Sequence, residues 1–292
     1  MKRFLAFAGL LLAAGVSLGL FFTRAVPVPE ERFAALTGDA EAGEAVFHAA
    51  GCASCHAAPG ASGEARLVLA GGQRFASPFG TFVAPNISPH PEAGIGDWSQ
   101  ADFASAVLAG VAPDGSHYYP AFPYTAYALM EDQDVADLWA YMQGLPETDT
   151  PNAPHELGFP FNIRRSVGAW KLLSPMPDWV GPEVPGDGRY LVEALAHCAE
   201  CHTPRDGLGR LDRARWMAGA PNPSGKGRIP GITPAQLDWS AGDIAYYLET
   251  GFTPDFDSAG GHMASVITNM AQLTAADREA IAAYVKALQP AE

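Results

Sequence analysis

Two short stretches restrict this chain more than anything else in it. "GCASCH" carries Cys52, Cys55 and His56, and "HCAECH" carries Cys198, Cys201 and His202, 146 residues later. All four cysteines are spent in these two C-x-x-C-H motifs. The motif is the attachment sequence of a c-type haem. Two residues between the thiols let one backbone turn present both sulfurs to one porphyrin edge, and the following histidine supplies the proximal imidazole. A thioredoxin-like dithiol would need a βαβ context, which the sequence does not offer. A zinc ribbon would bring its two halves within about 15–20 residues of each other. A structural disulfide leaves each histidine unexplained. The expected cofactors are therefore two covalently bound haem c groups, held by Cys52, Cys55, Cys198 and Cys201, with His56 and His202 as proximal iron ligands.

The motifs belong to a longer repeat. "LAGG" at 69–72 matches "MAGA" at 217–220, and "APNISP" at 84–89 matches "IPGITP" at 229–234. "GDWSQADFASAVLAGVAPDG" at 96–115 matches "LDWSAGDIAYYLETGFTPDF" at 237–256, and "EDQDVADLWAYMQGLP" matches "TAADREAIAAYVKALQP" near the ends of the two units. Each unit reads as helical. Ser99 with Asp102 and Ser240 with Asp243 have capping-box spacing ahead of apolar-periodic runs, and Thr274 with Asp277 can cap the last run. Phe103, Val107 and Leu108 share one helix face; Val135, Leu138, Trp139 and Met142 share another; Ile281, Tyr284, Val285 and Leu288 a third. No alternating strand pattern stands out. The expected fold class is all-α: two tandem cytochrome c-like domains behind an N-terminal apolar segment. The boundaries are 1–25 for that segment, 26–146 for the first domain, 147–182 for a Pro/Gly-rich linker and 183–292 for the second. Phe159, Phe161, Trp170 and Leu172 are expected to pack that linker onto the domains.

The N-terminus starts with Lys2 and Arg3 and continues apolar from Phe4 to Phe22. That run is longer than the usual h-region of a cleaved signal and about long enough to span a bilayer. It predicts a signal anchor in the inner membrane with the rest of the chain on the periplasmic side. The net charge of −14 argues against nucleic acid and against a general attraction to anionic lipid.

Each iron also needs a distal side. Met263, in "GGHMASVI" ahead of the last helix, is the expected sixth ligand of the second haem. Sliding the repeats together on Tyr141 and Tyr284 sets Pro120 against Met263, so the first haem has no obvious counterpart. Met130 is its first candidate, His117 the second and a five-coordinate iron the third. Pro85 and Pro230 stand where a backbone carbonyl could orient the proximal ring, or could merely form a turn. No acid–base grouping marks a catalytic centre.

"APNISPHPEAGIGDWSQADFASAVLAGVAPDGSHYYPAFPYTAY", "FPFNIRRSVGAW", "GRYLVEALAHCAECHTPRDGLG" and "GGHMASVI" together make the chain resemble the membrane-associated cytochrome c subunits of periplasmic dehydrogenases acting on gluconate, alcohols or sorbitol. The resemblance implies class I-type cytochrome domains that relay electrons from a catalytic subunit towards quinone, a terminal oxidase or another cytochrome. It matches Met263 to the family's distal methionine. It also places Phe122 where many members have methionine. That departure keeps open an alternative in which the first haem serves a dihaem redox enzyme of the peroxidase or thiosulfate-oxidising kind.

Overall fold

The computed structural model describes the chain except residues 175, 176, 224, 226 and 292. Helix α1 (Lys2–Phe22) carries Lys2 and Arg3 in its first turn, is uncharged from Phe4 on and has no buried residue. The first unit follows with α2 (Ala40–Ala50), the motif helix α3 (Cys52–His56), α4 (Gln100–Ala109), a short α5 (Tyr124–Tyr127) and α6 (Asp132–Met142). Helix α7 (Ser166–Leu173) stands between the units. The second unit opens on a π-helical stretch, Tyr190–Leu195, whose widened turn is seen in the bond from Ala196 N–H to the Leu191 carbonyl. Then come the motif helix α8 (Ala199–His202), α9 (Ala241–Thr250), α10 (His262–Met270) and α11 (Ala275–Ala287).

Local sequence sets the helix ends. Ser99, Ser240 and Thr274 each accept from the N–H three residues on, while Asp102, Asp243 and Asp277 return the bond to the cap N–H. All three expected capping boxes are present, each contributing on the order of 1 kcal/mol. The apolar faces point inward as their periodicity requires: Phe103, Val107, Leu108, Val135, Leu138, Met142, Ile281, Tyr284, Val285 and Leu288 are buried.

The two units close on themselves in the same way. In the first, α2 crosses α6 so tightly that a Cβ on Gly43 would lie 2.0 Å from the Asp137 carbonyl oxygen. In the second, a Cβ on Gly188 would lie 2.1 Å from the Ala280 carbonyl oxygen. A buried carboxylate then pins each crossing. Asp137 accepts from Asp39 N–H at 2.7 Å, and Glu193 accepts from the Tyr284 hydroxyl at 2.5 Å and from Val180 and Gly181 N–H at 2.8 Å each.

Two expectations need correction. The fold is mostly helical rather than all-α. Strands β1 (Arg74–Ser77), β2 (Gly80–Val83) and β3 (Glu156–Leu157) form an antiparallel sheet, and β4 (Ala220–Pro221) pairs with β5 (Arg228–Ile229). Runs of two to four residues are too short to show alternation in a sequence. The segment 147–182 does pack on its neighbours, and Trp170 is half-buried with its Nε1 on the Leu208 carbonyl, but most of its hold is polar rather than through the apolar side chains expected. Asn86 Nδ2 donates to the Thr148 and Thr150 carbonyls, and Val83 N–H to His155 Nδ1. Phe159, Phe161 and Leu172 are exposed.

The crossing glycines yield a direct prediction. Gly43→Ala and Gly188→Ala should each destabilise the protein by about 1–3 kcal/mol, because the added methyl can only be accommodated by separating the helices. A drop in the denaturation midpoint with unchanged slope would show it; an unchanged midpoint would contradict the packing described.

Candidate haem sites

In the first unit the motif fills one short helix and in the second Cys198 caps it, so both sulfurs and the imidazole emerge from adjacent turns. In the first, Gly51 closes α2 in a left-handed conformation (φ 67°) and α3 begins at once. The four cysteines form no disulfide. Burial pushes the Cys52 and Cys198 thiols up to about 12 and Cys55 to about 11. These positions therefore suit neutral sulfur, as a thioether is, and not thiolate. Among the described residues, no three His, Cys, Asp or Glu side chains stand together as a site for a bare metal ion.

The histidines are held identically. His56 Nδ1 lies 2.8 Å from the Pro85 carbonyl oxygen, and His202 Nδ1 lies 2.7 Å from that of Pro230. With Nδ1 as the donor, Nε2 carries the lone pair that an iron would take. Both carbonyls are brought in by the same device. The His56 carbonyl accepts from Gly71 N–H and the His202 carbonyl from Gly219 N–H, each at 2.7 Å. Gly71 (φ 73°) and Gly219 (φ 80°) are left-handed, and a Cβ on either would press into the proline segment, 2.5 Å from Pro85 C and 2.9 Å from Pro230 C. Leu69 and Met217, two residues earlier, also have positive φ and are fully buried. The "LAGG" and "MAGA" landmarks are thus the turns that deliver the proline carbonyl to the histidine. Their repetition was visible in the sequence; their role was not.

The distal sides differ. Val111 bridges to His117 in the first unit as Phe252 bridges to Ser258 in the second, and the Tyr118 and Ala259 N–H groups close the loops on the Gly110 and Gly251 carbonyls. Five residues past each bridge come Phe122 and Met263. This backbone register sets Phe122, not Pro120, at the Met263 position. Met130 falls elsewhere: it is buried immediately before the Glu131 cap, as Leu273 is before the Thr274 cap. His117 is also engaged, its Nε2 lying 2.9 Å from the Thr23 carbonyl at the end of α1. That is the reverse of His56 and His202, whose Nδ1 makes the backbone bond. The second unit has two more residues between the bridge and the last helix, which is why an alignment anchored on Tyr141 and Tyr284 slips.

The motif helices meet at one interface. Ser54, inside α3, donates to the Ser265 carbonyl at 3.1 Å and accepts from Asn269 Nδ2 at 2.7 Å, both on α10. Arg66 reaches Ser265 Oγ and Asn269 Oδ1, at 3.2 and 3.3 Å. Reciprocally, Thr125 of α5 bonds Glu200 of α8 at 3.4 Å, and the Tyr127 ring meets His197 at 5.4 Å. Cys55 and Cys201 come close enough that a charge on Cys201 would raise the Cys55 thiol further. Sequence reading found none of Ser54, Arg66 or Asn269, since no local pattern marks a contact across two hundred residues.

The donor sets fit two covalent haems, each with a fixed imidazole. Comparison with known proteins agrees. The Cytochrome c family model matches residues 40–146 and 187–289. A "Diheme cytochrome c-type" of Cereibacter sphaeroides is 60% identical over 291 residues, covering 98% of each chain. The "Fructose dehydrogenase cytochrome subunit" of Gluconobacter japonicus is 35% identical over 97% of this chain and 58% of its own length. The "Gluconate 2-dehydrogenase cytochrome c subunit" of Pantoea cypripedii is 34% identical over 88% of this chain and 62% of its own. Against these two dehydrogenase subunits, the chain spans about three-fifths of the relative's length.

Gly71→Ala or Gly219→Ala should displace the proline carbonyl and leave the histidine Nδ1–H unpaired. A less basic imidazole stabilises ferric iron less. The reduction potential of the altered site should therefore rise while the other stays put, measurable by spectroelectrochemical titration. No movement in either potential would show that the carbonyl does not set the ring.

Proposed function

We propose that this chain, which belongs to the cytochrome c family, is a dihaem electron relay. In this reading residues 26–146 and 183–292 form two haem domains joined by 147–182, and residues 1–25 anchor them in the inner membrane facing the periplasm. Cys52, Cys55 and His56 hold the first haem, and Cys198, Cys201 and His202 the second. When bound, each supplies a one-electron Fe(III)/Fe(II) couple. The chain's own part is to fix both imidazoles, exclude water with the apolar core, and hold the two groups at a set separation. The observation that carries the proposal is that each motif helix is held by the other unit: Ser54 of α3 bonds Ser265 and Asn269 of α10, and Glu200 of α8 bonds Thr125 of α5. A relay needs that proximity; two independent binding sites would not. The electron donor is a dehydrogenase, by analogy with the relatives named for fructose and gluconate oxidation. The acceptor is a terminal oxidase or another cytochrome.

Met263 is the proposed sixth ligand of the second iron. On the first, Phe122 favours a second reading, since it has no ligating atom at the matching position. A methionine sulfur raises the potential of a haem iron. The two sites would then differ in potential, and the first could take a small exogenous ligand, as a dihaem redox enzyme requires. In this reading neither Met130, in the core, nor His117, bonded through Nε2 to the Thr23 carbonyl, ligates the first iron.

The reading predicts two haems per full-length chain by the pyridine haemochrome assay, and one in the Cys198→Ala/Cys201→Ala double variant. A single haem in the unaltered chain would overturn it.

Spectra distinguish the ligand sets. Met263→Ala should convert the second haem from low to high spin. Phe122→Met should convert a high-spin first haem to low spin and abolish its cyanide binding, whereas Met130→Leu should leave it unchanged. Loss of a low-spin signal in Met130→Leu would restore Met130 as ligand and remove the open-site reading.

A further inference from the structure

The apolar side chains that fail to pack the linker gather on one surface. Phe159 is 82% exposed, Leu172 60% and Leu173 61%, and Phe161, Ile163 and Leu208 are exposed beside them. They are held in place rather than loose. The Leu208 carbonyl accepts from Trp170 Nε1 at 2.8 Å, the Leu173 carbonyl from Arg210 at 2.6 Å, and the Phe161 carbonyl from the Tyr119 hydroxyl at 2.9 Å. The Phe161 ring also meets Phe79 at 5.0 Å.

This surface lies where α1 ends. The Arg165 guanidinium bonds Thr23 Oγ1 at 3.2 Å and also the Leu20 carbonyl. A Cβ on Gly168 would lie 2.1 Å from the Thr23 carbonyl oxygen, so α7 is docked directly against the last turn of α1. The 21 residues of α1 rise about 32 Å at 1.5 Å each, against a hydrocarbon core of about 30 Å. With Lys2 and Arg3 at one boundary, Leu20 to Thr23 fall at the other, and whatever packs on Thr23 is held at headgroup depth. The local charge fits that depth. The chain as a whole is acidic, but this edge carries Arg24, Arg164 and Arg165, with Asp114 close to Arg164. Exposed apolar side chains edged by arginine form the composition of an interfacial seat.

We propose that the loop from Gly158 and helix α7 form a second membrane contact, seated in the headgroup–acyl boundary of the bilayer that α1 crosses. The occupant of this apolar face is lipid. The inference rests on the reading of α1 as a spanning helix. The seat would stop the two haem units from swinging about a single helix and would fix their height and orientation above the membrane.

Nitroxide accessibility tests it on the haem-loaded full chain, whose own cysteines are consumed as thioethers. Phe161→Cys and Leu173→Cys are labelled singly in nanodiscs of phosphatidylcholine and phosphatidylglycerol. Leu12→Cys serves as the bilayer reference and Phe256→Cys as the aqueous one. At positions 161 and 173 the accessibility to oxygen relative to a water-soluble nickel chelate should exceed the Phe256→Cys ratio several-fold and approach that of Leu12→Cys. A water-like ratio at both positions, with Leu12→Cys still bilayer-like, would overturn the seat and leave the anchor standing. Exclusion of both reagents would overturn it in favour of a protein contact. A water-like ratio at Leu12→Cys as well would overturn the spanning reading, and the seat with it.

Discussion

The bond between each motif histidine and a proline carbonyl is the constraint on which the site depends. A single helical turn can present two sulfurs and an imidazole, but it cannot by itself orient the ring. The second point comes from a segment 28 or 29 residues on, at Pro85 and Pro230. Bringing that segment back requires a chain reversal tight enough for Gly71 and Gly219 N–H to bond the histidine's own carbonyl. Only a residue without Cβ tolerates the resulting approach at left-handed φ. The motif and its glycine turn are thus one device separated in sequence, and the helical frame serves to hold it still.

The frame repeats, but the sides that face each other do not. In the second unit α10 has nine residues and lies over the first unit's motif helix. In the first unit α5 has only four, and an aromatic run takes its place: Phe122 lies 5.8 Å from Tyr127, which in turn meets His197 of the other unit. One side of the interface is polar, through Ser54, Arg66 and Asn269, and the other joins one polar contact, Thr125 to Glu200, to an aromatic one, Tyr127 to His197. A repeated fold has in this way acquired two unlike sites.

Much of this was legible in the sequence because it is local. The motifs, the repeat, the three capping boxes and the buried helix faces each depend on residues a few positions apart. What was not legible depends on distance or on length. The strands are shorter than the window in which alternation shows. Sliding the repeats on Tyr141 and Tyr284 missed the Phe122–Met263 correspondence by two residues; the family resemblance pointed to it, and the Val111–His117 and Phe252–Ser258 bridges give it from the chain itself. The proline carbonyls were located by position, but a turn role explained them equally well until the histidine nitrogens were placed. Phe159, Phe161 and Leu172 were read as packing residues because an apolar side chain signals that it is covered, not by what.

Their exposure follows from how the segment 147–182 is attached. It holds the first unit through Asn86 and His155, and through Lys171, whose ammonium bonds the Ala109 and Gly110 carbonyls at the C-terminus of α4. It holds α1 through Arg165 and Gly168, and the second unit through Leu208, Arg210 and the buried Glu193. Three bodies are strapped by hydrogen bonds to backbone groups, with only Val167 and Gly168 of α7 buried. A strap secured through its polar groups has no need to bury its apolar side chains against protein. Exposing large apolar side chains to water carries a cost of about 25 cal/mol for each Å² left uncovered. Their place beside the end of an apolar helix gives that cost a direction under the proposed seat, in which the apolar phase that covers them is the one proposed for α1.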